Sequence, residues 1–141
     1  MKAFRITAAA LSGGLFTALQ FAVHFLLLAY VVPPGNGLQR PAVDWAIMFT
    51  LFISLHGFML GFAFGFLLGV LNSGPILGTL LGTVAGSLYI LWSMSATELL
   101  TLGPAHALLL ISFVSASGVM GLLTSQTPAR FSRWLEEYQG S

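Results

Sequence analysis

The chain has no cysteine, which excludes disulfides, thiolate metal sites and cysteine nucleophiles. Charge is almost missing as well. Asp, Glu, Lys and Arg make up 6% of 141 residues, against roughly a quarter in soluble domains. A net charge of +1, with no basic patch interleaved with aromatics, excludes the usual nucleic-acid binders. No charged residue falls inside a long apolar run, and Asp44 and Glu98 stand only at the ends of such runs. Coupled transporters keep an intramembrane carboxylate or a broken helix for the driving ion, so a self-sufficient pump is not expected. Serines are plentiful, yet none sits with a histidine and a carboxylate in a hydrolase motif. The expectation is a protein that is not an enzyme.

What the chain does have is apolar surface. Hydrophobic residues reach 57% and the mean hydropathy is +0.92, which makes this an integral membrane protein of a few spans in one compact domain. The first apolar run, from Ile6 to Val32, follows Lys2 and Arg5. A secretory signal begins that way, but its apolar core is about 7–15 residues against roughly 27 here. The run also ends at Tyr30-Val31-Val32-Pro33-Pro34 without a small-residue cleavage site. It reads as a retained, tilted transmembrane helix with a small-residue track at Ala10, Gly14, Ala18 and Ala22.

A polar connection with prolines and glycines, Pro33 to Asp44, leads into a second helix from Trp45 to Leu71. Asn72-Ser73-Gly74-Pro75 is a tight turn, and Pro75 suits the first turn of a third helix that reaches Ser95. Tyr89 and Trp92 near its end read as interfacial anchors. A loop from Ser95 to Pro104 precedes a fourth helix from Ala105 to Thr124, whose small face is Ser112, Ser115, Gly118, Gly121 and Ser125. The expected architecture is an all-α bundle of four transmembrane helices over residues 1–126.

Glycine dominates the middle of the chain. Gly57, Gly61, Gly65 and Gly69 recur every fourth residue on helix two, and Gly74, Gly78, Gly82 and Gly86 do so on helix three. Each glycine costs a helix roughly 1 kcal/mol relative to alanine, so eight of them need a compensating gain. In lipid that gain is close approach of backbones. Folding at Asn72-Ser73 sets Gly69 level with Gly74, Gly65 with Gly78, Gly61 with Gly82 and Gly57 with Gly86. The mirror symmetry predicts a rigid hairpin of helices two and three closed along this seam. Because the four-residue stripe drifts by about 40° per step, part of a zipper is also open to another protein chain.

The tail, residues 127–141, differs in kind. Thr127-Pro128 resembles an N-cap followed by proline at the first helical position. Phe131, Trp134, Leu135 and Tyr138 recur at helical spacing, beside Arg130 and Arg133. That pattern predicts a separate amphipathic helix in the headgroup plane. Lys2, Arg5, Arg130 and Arg133 fall on one side of a four-span topology and Arg40 on the other. The positive-inside rule then places both termini in the cytoplasm, in a bacterial inner membrane or its equivalent.

Few polar groups remain. Gln20 and His24, four apart, share a face of helix one. His56 precedes the first zipper glycine, and His106 enters helix four. One reading makes His24 and His56 axial ligands of a haem b, or contacts for a quinone, although their depths, about 12 and 20 Å below the outer helix ends at 1.5 Å per residue, are unequal. The other has each imidazole hydrogen-bonded to a neighbouring helix. Phe58, Phe62 and Phe66 form an aromatic ridge that suits lipid, a quinone tail or a pigment, while Thr79, Thr83 and Ser87 form a hydroxyl ridge. The leading expectation is a non-catalytic accessory or assembly subunit of a larger membrane complex of an energy-transducing kind. Its partners would be the lipid bilayer and other membrane subunits or further copies of itself. A redox subunit using His24 and His56, and an oligomeric channel or passive carrier lined by the hydroxyl ridge, are the alternatives.

Overall fold

A computed structural model describes residues 2–31, 42–94 and 103–139. The remainder of the two longer connections, with Arg40 and Glu98, lies outside them. The described residues form four helices long and apolar enough to cross a membrane. Helix α1 (Lys2–Leu26) continues into a π-helical turn, Leu27–Val31, and is followed by α2 (Val43–Leu71), α3 (Pro75–Ser93) and α4 (Pro104–Gln139). At 1.5 Å per residue α3 is about 28 Å long, close to the hydrocarbon thickness of about 30 Å. The other three exceed it.

The turn between α2 and α3 is built as expected. Asn72 takes the left-handed conformation, φ 52°, which asparagine tolerates better than most residues. Its N–H donates to the Gly69 carbonyl and that of Ser73 to the Leu68 carbonyl, a Schellman closure. The Ser73 hydroxyl also donates to Leu68 O at 3.0 Å. Arg5 Nε donates to Gly69 O at 3.3 Å, placing a cation at the negative end of the α2 dipole. Pro75 opens α3 behind Gly74.

The expected hairpin seam does not form. α2 packs along α1, α3 packs along α4, and α1 packs along α4, while α2 and α3 barely touch beyond their turn. The α2 glycines meet α1: a methyl at Gly61 would collide with the Gly13 carbonyl and Thr17, one at Gly65 with the Ala9 carbonyl, and one at Gly69 with Ile6. Gly57 lies under Phe21. The α3 glycines meet α4, with Gly78 against Gly121 and Ser125, and Gly82 and Gly86 against Ser117. Gly74 has nothing within 4 Å. The physical reason is azimuth. Equal sums of residue numbers match depth along two helices, but rotation about each axis decides which way a stripe points. Each stripe turns to a groove of small residues on another helix, Ala9, Gly13 and Thr17 on α1 or Ser117, Gly121 and Ser125 on α4. On α1 this is the column beside the track expected at Ala10, Gly14, Ala18 and Ala22.

The helix boundary expected at Thr127-Pro128 is also absent, because α4 runs unbroken through Pro128. Proline there withholds an N–H from the preceding turn. Nearby hydroxyls bond the carbonyls around it: Thr127 Oγ1 donates to Leu123 O at 2.8 Å and Ser132 Oγ to Pro128 O at 2.9 Å. Pro128 itself is buried. Beyond it Phe131 stacks on Phe4 with ring centroids 5.4 Å apart, so the end of α4 is fastened to the start of α1.

Candidate functional site

Pairing α2 with α1 and α3 with α4 leaves a space where α2 and α3 would have met. It is a cleft of about 350 Å³. Thr17, Gln20 and Phe21 of α1 and Phe113, Ser117 and Met120 of α4 form its floor. Leu60 and Phe64 form one wall, and Ala85, Leu88, Tyr89 and Trp92 the other. Leu60, Leu88 and Trp92 are exposed at its mouth, Trp92 to 79%. The cleft therefore opens sideways, through the gap between α2 and α3, onto the face that lipid covers in a membrane.

Gln20 is the polar centre of the floor. It is 3% exposed, and its Nε2 donates to the Phe113 carbonyl at 3.0 Å and to Ser117 Oγ at 2.7 Å. The Ser117 hydroxyl donates in turn to Phe113 O at 2.9 Å. This network ties α1 to α4 where a lost hydrogen bond has no water to replace it. The sequence shows Gln20 as a lone carboxamide in an apolar run, a real signal, but its partners stand more than 90 residues away on another helix.

Towards the far end from the α2–α3 turn, an aromatic cluster closes the bundle. Phe21 meets Tyr89 and Phe113 edge-on, at 5.1 and 5.3 Å, and Tyr89 stacks on Phe113 at 5.8 Å. Tyr89 is half-buried and packs against the core. The two histidines stand on different sides of this cluster. His24 lies edge-on to Phe113 at 5.2 Å, with Nδ1 2.9 Å from the Gln20 carbonyl and Nε2 3.1 Å from Ser112 Oγ. A carbonyl oxygen only accepts, so Nδ1 carries a proton. His56 is exposed and flanks Phe21 and Tyr89 at 6.1 and 6.2 Å. The two imidazoles thus contact different members of the aromatic cluster, where bis-histidine ligation needs both to face one flat slot. No group of three metal-ligating side chains occurs among the described residues.

The remaining sequence candidates distribute as follows. Phe58 packs over Gly14, while Phe62 and Phe66 point outward. Thr79, Thr83 and Ser87 each donate to the carbonyl four residues earlier, at 2.9 Å, and Thr83 lies against Gly118. That ladder is spent within α3 and its seam with α4. Arg130 donates to Gln126 Oε1 at 2.7 Å and Arg133 Nε to Ala129 O at 3.4 Å. Along the exposed end of α4, Phe131 meets Trp134 tilted at 5.5 Å and Trp134 stacks on Tyr138 at 5.8 Å.

Comparison with known protein families, curated protein sequences and solved structures finds no match to this chain.

Proposed function

We propose that the chain is a non-catalytic membrane subunit that works as a binding component, holding an apolar guest from the lipid phase in the cleft between α2 and α3. The observation that carries this reading is the cleft itself: about 350 Å³, lined by aromatic and aliphatic side chains and open towards the bilayer. Ligand sites are concave, mostly apolar and furnished with a few polar groups, and Gln20 and Ser117 are such groups here. An accessory place in a larger, energy-transducing membrane complex fits a small chain of this kind. One expectation weakens, since seven of the eight zipper glycines are occupied within the chain and offer little close-packing surface to a partner.

The orientation belongs to the same proposal. The Phe4–Phe131 stack and the Arg5–Gly69 hydrogen bond gather Lys2, Arg5, Arg130 and Arg133 at one end of the bundle. The positive-inside rule makes that the cytoplasmic end of an inner membrane, with both termini there. The redox reading through His24 and His56 draws less support from the geometry than the cleft does. The test is mass spectrometry of protein purified in mild detergent, after solvent extraction, with an absorption spectrum. A lipid-phase molecule at a defined ratio, lost in Ala85→Trp, is the expected result. Bulk lipid alone in both proteins would overturn it, and a Soret band would return the redox reading to first place.

A further inference from the structure

We infer that the guest of this cleft is a ring-headed, apolar-tailed molecule carrying a hydroxyl, of the hydroquinone class, whose O–H donates to Oε1 of Gln20; this rests on the cleft being a binding site. Both N–H groups of the Gln20 carboxamide are used, on Phe113 O and Ser117 Oγ. Turning the amide over would set its oxygen against the Phe113 carbonyl, acceptor facing acceptor, so the orientation is fixed by chemistry. Oε1 then points away from α4, and no donor among the described residues reaches it. Every fully enclosed side-chain polar atom among the described residues has a partner. Oε1 is therefore not sealed in, and the space that Gln20 lines is the cleft. An acceptor left unmade in an apolar setting is costly. The site asks for a donor.

Depth and shape narrow the donor. Gln20 stands eleven residues before Val31 and eighteen after Lys2, about 16 and 27 Å along the helix. Phospholipid headgroups stay in the interface, and at this depth their acyl chains offer no O–H. A single water would satisfy Oε1, but it fills about 30 Å³ of a cleft of about 350 Å³. A transmembrane helix bearing a hydroxyl is the competing occupant, yet it must run the full apolar thickness of about 30 Å. The cleft follows α3 only from Gly82 to Trp92, about 15 Å. That is the reach of a ring with the first part of a tail. The ring would lie among Phe21, Phe64, Tyr89 and Phe113, where aromatic contacts add to plain area burial.

The redox state of such a head decides its fit. A hydroquinone brings the missing donor, whereas the matched quinone presents a carbonyl to Oε1. One neutral hydrogen bond corresponds to about tenfold in affinity. The experiment uses the full chain in phosphatidylcholine nanodiscs under anaerobic conditions, as Trp45→Phe/Trp134→Phe so that Trp92 alone reports. A short-tailed hydroquinone, its dimethyl ether and the matched quinone are titrated and quenching is read. Saturable binding of the hydroquinone, about tenfold weaker binding of the other two, and loss of that difference in Gln20→Met are expected. Ala85→Phe, which fills the cleft without adding an indole, should abolish all three. Should Gln20→Met fail to fold, the hydroquinone against its dimethyl ether in the parent protein decides alone. Equal binding of all three probes, still abolished by Ala85→Phe, would overturn the hydroxyl inference and leave the cleft as a general apolar site. No saturable binding, or binding indifferent to Ala85→Phe, would overturn the inference and the cleft reading together. The same holds if another subunit's helix is found cross-linked in the cleft.

Discussion

The pairing of the glycine stripes can be tested by coupling energies. A methyl at Gly78 would stand 2.6 Å from the Gly121 carbonyl oxygen, about 1 Å inside ordinary contact, so α3 and α4 must part by about that much. A gap of 0.5–1 Å forfeits about a quarter to a half of each contact's attraction, itself about 0.1–0.2 kcal/mol. Over some tens of atom pairs along a seam the loss is about 2 kcal/mol. Replacing glycine by alanine returns about 1 kcal/mol of helix propensity, leaving a net cost near 1 kcal/mol for Gly78→Ala. Gly121→Ala makes the reciprocal collision with the Gly78 carbonyl and should cost about the same. Once either methyl has opened the seam, the second finds the space already made. The double variant Gly78→Ala/Gly121→Ala should therefore cost well under the sum, with a coupling of about 1 kcal/mol or more. Gly65→Ala collides with Ala9 on the other seam, so Gly65→Ala/Gly78→Ala should be additive within about 0.5 kcal/mol. Steric-trap unfolding in bicelles measures both cycles. Strong coupling between positions 65 and 78, with additivity between 78 and 121, would refute the arrangement and mean that α2 and α3 face each other.

Further predictions concern the same contacts. In the cysteine-free background, a cysteine pair at positions 14 and 58, where the Phe58 ring covers Gly14, should be captured by a short bifunctional maleimide, and a pair at 65 and 78 should not. Capture of the second pair alone would reverse the helix order. Phe131→Ala should release the end of α4 from Phe4, costing about 0.5–1.5 kcal/mol for the lost ring pair, seen as faster proteolytic trimming; unchanged trimming would mean that the stack does not hold the tail. His24→Ala should cost about 0.6 kcal/mol for each hydrogen bond lost in a membrane helix and His56→Ala less, since no side-chain hydrogen bond of His56 occurs among the described residues. Equal costs, or a visible band lost in either variant, would contradict these placements. Gly74→Ser should raise stability by a few tenths of a kcal/mol, because the position has open space and caps α3; a loss would show that the turn needs glycine there.

Sequence alone determined how many helices are long and apolar enough to cross a membrane and where they begin and end near the turn. Those features are local: apolar run length against bilayer thickness, an asparagine able to enter the left-handed region, and a proline whose fixed φ suits a helix start. It also marked glycine as the residue of close approach, since only crowding repays eight glycines in two helices. What it could not determine was the partner of each stripe. Gly65 and Gly78 lie at matching depths, and nothing in their numbering reveals that one turns to Ala9 and the other to Gly121. The helix boundary read at Pro128 failed for a related reason. A proline signal is local, while the Phe4–Phe131 stack that ties this part of α4 to α1 joins residues 127 positions apart. The cleft is wholly a tertiary product. Gln20, Phe64, Tyr89 and Ser117 come from four helices, and they share a cavity because both glycine seams, by turning outward to α1 and α4, hold α2 and α3 apart.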